Sequence, residues 1–244
     1  YSLLCFFVFS NLIYFQTVAQ SEKQLSIIKN FKVLLQNNDA KAIAANVKYP
    51  FQRKYPLPAI QNKADFIQNY TAIFDAFLRN KIINSSTEKD WTAVSQNRIT
   101  LESGLLWLDH KGRIKSINYL TKKGHKSYRK LLRLDKKSLH KSVQKYWEPV
   151  LSWQTELYKI RIDKESPYSY RLTLWSSDQS VDNTPNLVID GGQKEYEGSQ
   201  GHQHFVFSKN NKEYICRIIK SIPYPAKSFL IQEQHSITYS SNIP

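Results

Sequence analysis

Residues 98–119, RITLESGLLWLDHKGRIKSINY, decide the fold. They divide into three strand-like stretches, 99–102, 105–108 and 114–119. In the first, Thr and aliphatic residues alternate with polar ones, the period of a half-buried strand. Asp109-His110-Lys111-Gly112 supplies the positive-φ residue that a hairpin loop of this length needs. Ser103-Gly104 predicts a bulge or tight bend between the first two strands. The expectation is a curved antiparallel sheet, with another strand at 91–94 beside it.

Working upstream, the sequence supplies the helices that such a sheet must cover. Asn62 is a good helix cap with Asp65 three residues on. Phe66, Ile67, Tyr70, Ile73, Phe74, Phe77, Leu78 and Ile82 then predict one helix of about five turns with a broad apolar stripe. Before it, Leu25, Ile28, Phe31 and Leu35 recur at helical spacing, with Ser21 or Ser26 as cap. Asn37-Asn38-Asp39 breaks the chain, and Asp39 caps a short helix over 40–47. Pro50, Pro56 and Pro58 hold the next stretch extended.

These residues carry a resemblance. A helix pair divided at Asn37-Asn38-Asp39, then Tyr49-Pro50-Phe51, an aromatic-rich helix and a meander ending in Ile117-Asn118-Tyr119 resemble the nuclear transport factor 2-like (cystatin-like α+β cone) superfamily. The likeness covers about 26–121 and extends to uncharacterised secreted bacterial members. It implies a cone with one open end. The superfamily includes isomerases, dehydratases, transport factors and binding modules, so the resemblance names no reaction.

The chain has 244 residues, of which 41% are hydrophobic and 13% aromatic, enough for real cores and too much for wholesale disorder. Residues 1–19 carry no charge, and Thr17-Val18-Ala19 before Gln20 fits a small-residue cleavage site. We read 1–19 as a secretory signal peptide whose start lies outside the sequence, in preference to a membrane anchor. Ser10-Asn11 and Gln16 interrupt the apolar run, which falls short of the ~20 residues a span needs. Export to the periplasm or extracellular space, with no stable transmembrane anchor after processing, is the expectation. Of the two cysteines, Cys5 falls in the signal, leaving Cys216 in an alternating strand as a buried, inert thiol.

The net charge of +15 is concentrated. Between Lys111 and Lys145 thirteen Lys and Arg face a single acid, Asp135, so this segment alone carries +12. Tyr128, Leu131, Leu132, Leu134, Leu139 and Val143 give it helical periodicity, predicting one or two helices lying against a core. From Trp147 the period becomes two. Strands are expected at 157–163, 168–175, 187–189, 193–197, 202–207, 213–219, 228–232 and 236–239. Turns separate them at Asp190-Gly191-Gly192, 198–201 and Lys209-Asn210-Asn211-Lys212. The fold class is therefore α+β: a cone at 20–121, a basic helical connector at 122–146, and an all-β sandwich or half-barrel at 147–244.

Three places deserve chemical inspection. In cone enzymes acids, bases and Tyr or His point into the open end, and Tyr70, Asp75, Glu102 and Trp107 are the cavity candidates that the resemblance suggests. Acid–base work needs two such groups converging on one substrate with their pKa values pushed apart. The bland reading is that Tyr70 and Trp107 are core aromatics and Asp75 an edge carboxylate. His202 and His204 form a His-x-His on one strand face, with Glu195 and Glu197 on the preceding strand. Zinc needs three or four ligands, so two sheet-surface histidines are the expectation, with no metal and no cofactor. Lys122, Lys123, Lys126, Arg129, Lys130 and Arg133 are the anion-binding candidates, and a helix carrying them attracts polyanions. In an exported protein these are lipopolysaccharide, acidic glycans, anionic lipid headgroups or an acidic protein; nucleic acid is disfavoured by compartment. The bland alternative is a solvated cationic face.

No sequence motif for a phosphate loop, nucleophile elbow, zinc protease or Ca²⁺ loop occurs. The leading reading is a non-enzymatic binding module of the bacterial cell envelope holding a protein or an anionic polymer. The competing one is a small-molecule enzyme or carrier using the cone cavity.

Overall fold

The computed structural model describes residues 21–95, 98–197, 202–219, 226–233 and 236–243. The signal-peptide reading and the turn at 198–201 lie outside the described residues. The chain is mixed α+β and divides into two compact units. The first runs to Arg53 and resumes at Ala59–His125; the second comprises Lys54–Pro58 and the chain from Lys126 onward. No described helix is long and apolar enough to cross a membrane.

In the first unit α1 (Glu22–Gln36) opens on a capping box. The Ser21 hydroxyl accepts from the Gln24 amide, while the Gln24 side chain accepts from the Ser21 amide at 2.9 Å. Asp39 caps α2 (Ala40–Ala45) through the amides of Lys41 and Ala42. The single long helix expected from Asn62 is instead three: α3 (Lys63–Gln68), α4 (Tyr70–Ile73) and α5 (Ala76–Ile83). The break after α4 has a physical cause. Phe74 is extended at φ −118°, ψ 130°, and Asp75 turns from helix residue to N-cap, accepting from the Leu78 amide at 2.8 Å. Side chains of this type satisfy the orphan amides of a new helix better than they serve a helix interior. The break also reorients the stripe: Phe66, Ile73, Phe74, Leu78 and Ile82 stay buried while Phe77 is 65% exposed.

The sheet of this unit is a meander in the order β1 (Trp91–Ser95), β2 (Arg98–Leu101), β3 (Leu106–Asp109) and β4 (Ile114–Ile117), all antiparallel. The bend at Ser103-Gly104 is a short 3₁₀ turn in which Glu102, Ser103 and Gly104 all have positive φ. Asp109 closes the β3–β4 turn by accepting from the Lys111 and Arg113 amides, with Gly112 at φ 75°. Ile99, Leu101, Leu106, Leu108 and Ile114 join Ile28, Phe31, Leu35, Phe51 and Phe66 in one core. Each fully buried side chain of this size contributes roughly 1.5–3 kcal/mol.

Among the described residues the second unit holds α6 (Lys122–Ser138), apart from that helix's first turn, and eight strands. They are β5 (Glu148–Gln154), β6 (Tyr158–Ser166), β7 (Ser169–Ser176), β8 (Leu187–Glu197), β9 (His202–Lys209), β10 (Lys212–Ile219), β11 (Ala226–Glu233) and β12 (Ser236–Ile243). They form one antiparallel sheet in sequence order, a half-barrel. Two stretches expected as separate strands, 187–189 and 193–197, are one strand. Asp190-Gly191-Gly192 is a corner inside it, not a turn between strands. Gly191 takes φ 77° at an irregularity of the β7–β8 pairing, so β8 pairs with β7 in its first half and β9 in its second. Gly192 lets the strand pass over a ring: a Cβ there would sit 2.1 Å from Phe207. The sheet curls until β12 reaches the β5–β6 turn and the start of β6 through side chains. The Tyr239 hydroxyl donates to Thr155 at 3.1 Å, and the Tyr239 and Tyr158 rings lie 5.2 Å apart.

Strand alternation gives the half-barrel two buried faces. Ile160, Ile162, Leu172, Leu174, Phe205, Phe207, Cys216 and Phe229 point into its interior. On the other face of β6 and β7 lie Arg161, Asp163, Arg171 and Trp175, all nearly inaccessible. Leu139, Val143 and Tyr146 pack with Trp175 on this outer side.

Candidate anion-binding surface

The α6 sequence, KKGHKSYRKLLRLDKKS, is a charged helix with one apolar flank. Its first turn is capped by Thr121, whose hydroxyl accepts from the Gly124 amide at 2.9 Å. Lys136 and Lys137 occupy the last turn, where cations oppose the helix dipole. At 100° per residue Tyr128, Leu131, Leu132 and Asp135 fall on one side, half-buried, and Lys126, Arg129, Lys130, Arg133 and Lys137 fall on the other, exposed.

The inward side explains how so cationic a helix is held. Asp135, the single acid of the basic segment, faces the sheet with its side chain 12% exposed. It accepts from Arg161 Nη1 at 3.0 Å and Nη2 at 2.7 Å, from the Tyr146 hydroxyl at 2.6 Å and from the Tyr55 hydroxyl at 3.2 Å. Arg161 Nε bonds both oxygens of Asp163 at 2.9 Å, and Asp163 also accepts from Arg171 Nη2 at 3.1 Å. Arg171 goes on to donate to the carbonyls of Lys145 and Val143, fixing the segment after α6. Two acids and two guanidinium groups thus neutralise one another in a dry layer, as buried charges must.

The protonation states follow from the same contacts. Burial works against the Asp135 charge, but the hydrogen bonds and charge of Arg161 outweigh it and hold the carboxyl below the usual carboxylate range. Burial and the bond to Asp135 push the Tyr146 phenol well above the ordinary tyrosine range. Burial would lower the Arg161 pKa, but its bonds to Asp135 and the charge of Asp163 raise it. These contacts favour the ionised Asp135–Arg161 pair and the neutral Tyr146 phenol, the states in which the cluster's hydrogen bonds are made.

The outward side is different. Lys126, Arg129, Lys130, Arg133 and Lys137 make no ion pair or hydrogen bond among the described residues. They are spread along 12 residues of helix, whose 11 steps of 1.5 Å span roughly 16 Å. Because Asp135 is turned inward, no acid of α6 interrupts them. Lys122 follows the same helical row one turn earlier. Lys123 is committed locally, its ammonium donating to the Thr71 hydroxyl at 2.9 Å.

The cone candidates are each engaged nearby. The Tyr70 hydroxyl donates to the Asn38 side chain at 2.9 Å, and its ring stacks on Phe74. Asp75 caps α5 with one oxygen and accepts the Tyr119 hydroxyl at 2.9 Å with the other, helping raise the Tyr119 pKa beside the desolvation. Glu102 pairs with Lys81 at 2.9 Å. Trp107 stands on β3 opposite Thr100 and Ser116, on the face turned from Leu106 and Leu108. No hydrogen bond or ion pair joins any two of the four among the described residues. His204 lies opposite Glu195 in the β8–β9 register and contacts it at 2.8 Å, while His202 is half-buried two residues away. Among the described residues no group of three or more His, Cys, Asp or Glu could hold a metal ion. Cys216 is fully buried in the half-barrel, and burial raises its thiol pKa well above the usual value.

The clamp residues Arg161, Asp163 and Arg171 escaped the sequence reading because an Arg-x-Asp on an alternating strand ordinarily faces water. Their signal was indirect: a lone acid on a basic amphipathic helix needs a cation on whatever covers it. No protein-family model, no curated protein and no solved structure matches the chain.

Proposed function

We propose that the protein is a non-enzymatic binding module of the bacterial cell envelope that holds an anionic polymer on the outer face of α6. The observation that carries this reading is the division of labour on that helix. Its only acid is consumed by the inward clamp, and five exposed cations along roughly 16 Å have no partner among the described residues. A rigid, uniformly positive row suits a repeating anion better than a single small one, because each neutralised cation releases counterions from the polymer. Lipopolysaccharide and acidic glycans are polymers of this kind available outside the cytoplasm, and the placement at the envelope rests on residues 1–19. The cone assignment of the first unit rests on its helix pair and four-stranded meander together with Tyr49-Pro50-Phe51.

The test is recovery of partners from envelope extract by the full mature chain at low and high salt, beside a variant carrying Lys126→Glu, Arg129→Glu, Lys130→Glu and Arg133→Glu. The reading expects an acidic glycan or lipopolysaccharide that is recovered at low salt, lost at high salt and lost to the variant. Equal recovery by the variant contradicts it.

A further inference from the structure

The half-barrel has an open mouth at the end where the β5–β6, β7–β8 and β9–β10 connections lie. A concavity of about 500 Å³ sits there, lined by Leu157, Tyr158, Leu174, Leu187, Tyr214, Ile231 and Tyr239 with Asn186, Lys212 and Thr238. It belongs wholly to the second unit and shares no residue with the α6 face. Its volume is that of small-molecule sites, which favour barrel mouths and combine apolar walls with a few polar groups.

The walls are built, not incidental. Phe229 is fully buried beneath the mouth and anchors three tyrosines. Tyr158 meets it edge-on at 6.0 Å, Tyr214 stacks at 6.5 Å and Tyr239 lies at 6.0 Å. Tyr239 is fixed by its bond to Thr155, and Asn186 by accepting from the Ser176 amide at 2.8 Å. Thr238 is likewise tied to the Ile231 carbonyl. The hydroxyls of Tyr158 and Tyr214 make no hydrogen bond among the described residues. Lys212 is the one charged residue in the lining among the described residues; its ammonium rests 3.4 Å from Glu233, with both side chains about two-fifths exposed. Such an exposed pair is weakly held and can be exchanged for a better anion.

We propose that this mouth binds a single-chain amphiphile: an aliphatic tail against Leu174, Leu187, Ile231 and the tyrosine rings, and an anionic head at Lys212. Apolar walls reward the tail by area removed from water, and the lysine orients the molecule head outward. A carboxylate and a sulfate head share this chemistry.

The probe is dodecanoate, titrated into the full chain by calorimetry, with dodecanol and dodecyl sulfate as comparison arms. Saturable one-to-one binding is expected, with dodecyl sulfate behaving like dodecanoate. Lys212→Glu should weaken dodecanoate about tenfold, the value of one charge-assisted contact, and leave dodecanol nearly unchanged. Leu187→Trp, which fills the concavity, should abolish binding of all three, and Thr238→Phe serves if that variant does not fold. The four α6 substitutions should leave dodecanoate binding as it is. Absence of saturable binding, or binding that survives a folded pocket-filling variant, overturns the proposal. Binding that the α6 substitutions abolish also overturns it.

Discussion

Asp135→Asn tests the inward clamp. The substitution keeps the size of the side chain but removes the charge that Arg161, 3% exposed, faces at 2.7 Å. It also replaces an acceptor of the Tyr146 and Tyr55 hydroxyls by a group with one acceptor oxygen. Removing one partner of a buried pair costs about 3–5 kcal/mol. Arg161 keeps its bidentate contact with Asp163, so the lower figure, ~3 kcal/mol, is the expectation. Native-state hydrogen exchange of the full chain reads it directly. The slowest amides of β6 and β7 should exchange about a hundredfold faster, and β1–β4 should be unaffected. The pH dependence has a definite sign. The folded carboxyl pKa is depressed, so its stabilisation is present above the unfolded value of about 3.9 and is lost as pH falls through the folded value. Tyr146 has a raised folded pKa, so its share is present in full below about 10 and is lost as pH rises toward the folded value. Asp135→Asn should remove this share of the acid limb and shrink the alkaline one, leaving the part that burial of Tyr146 supplies. Exchange within threefold of the parent protein would refute the clamp.

Three further outcomes follow from particular contacts. Gly192→Ala places a methyl 2.1 Å from the Phe207 ring and should destabilise the second unit by roughly 2–3 kcal/mol in urea unfolding, whereas Gly191→Asn, at φ 77°, should cost less. Asp75→Ala removes the α5 cap and the acceptor of Tyr119, for a loss of about 1–2 kcal/mol, and Asp75→Asn should restore most of it; equal losses would deny the capping role. Cys216 should resist aqueous thiol reagents in the folded chain and react stoichiometrically in denaturant, since it is fully buried with a raised pKa. Prompt labelling without denaturant would contradict that burial.

Local chemistry made much of the fold legible. The meander of 98–119 follows from alternation and from Asp109-His110-Lys111-Gly112, because short-range turn geometry sets the register there. The division of the helix at Phe74-Asp75 was not legible, since the apolar spacing runs unbroken through it and only the tertiary fit favours a cap over another turn. Edge strand β5 was hidden by Pro149, which a sheet tolerates at an edge because no neighbour needs its missing amide. The β8 corner read as a turn because Gly-Gly marks both; a ring on the neighbouring strand decided for the corner. At the candidate site the cations were plain in the sequence as charge. That they have no partner among the described residues depends on which way Asp135 turns, a matter settled by Arg161 more than 20 residues away. The amphiphile mouth had no local signature, since its walls come from six strands that only the curled sheet brings together.

The central claim, that the outer face of α6 binds a polyanion, is tested most directly by the salt dependence of affinity for a purified acidic glycan. Five exposed cations at about 0.7–0.9 counterions each predict a slope of log K against log salt near −4. That is a loss of roughly two hundredfold between 50 and 200 mM. Reversing Lys126, Arg129, Lys130 and Arg133 to Glu should bring the slope close to zero while β6 and β7 exchange as in the parent protein. A slope that stays near −4 in that variant would place the polyanion elsewhere and contradict the account.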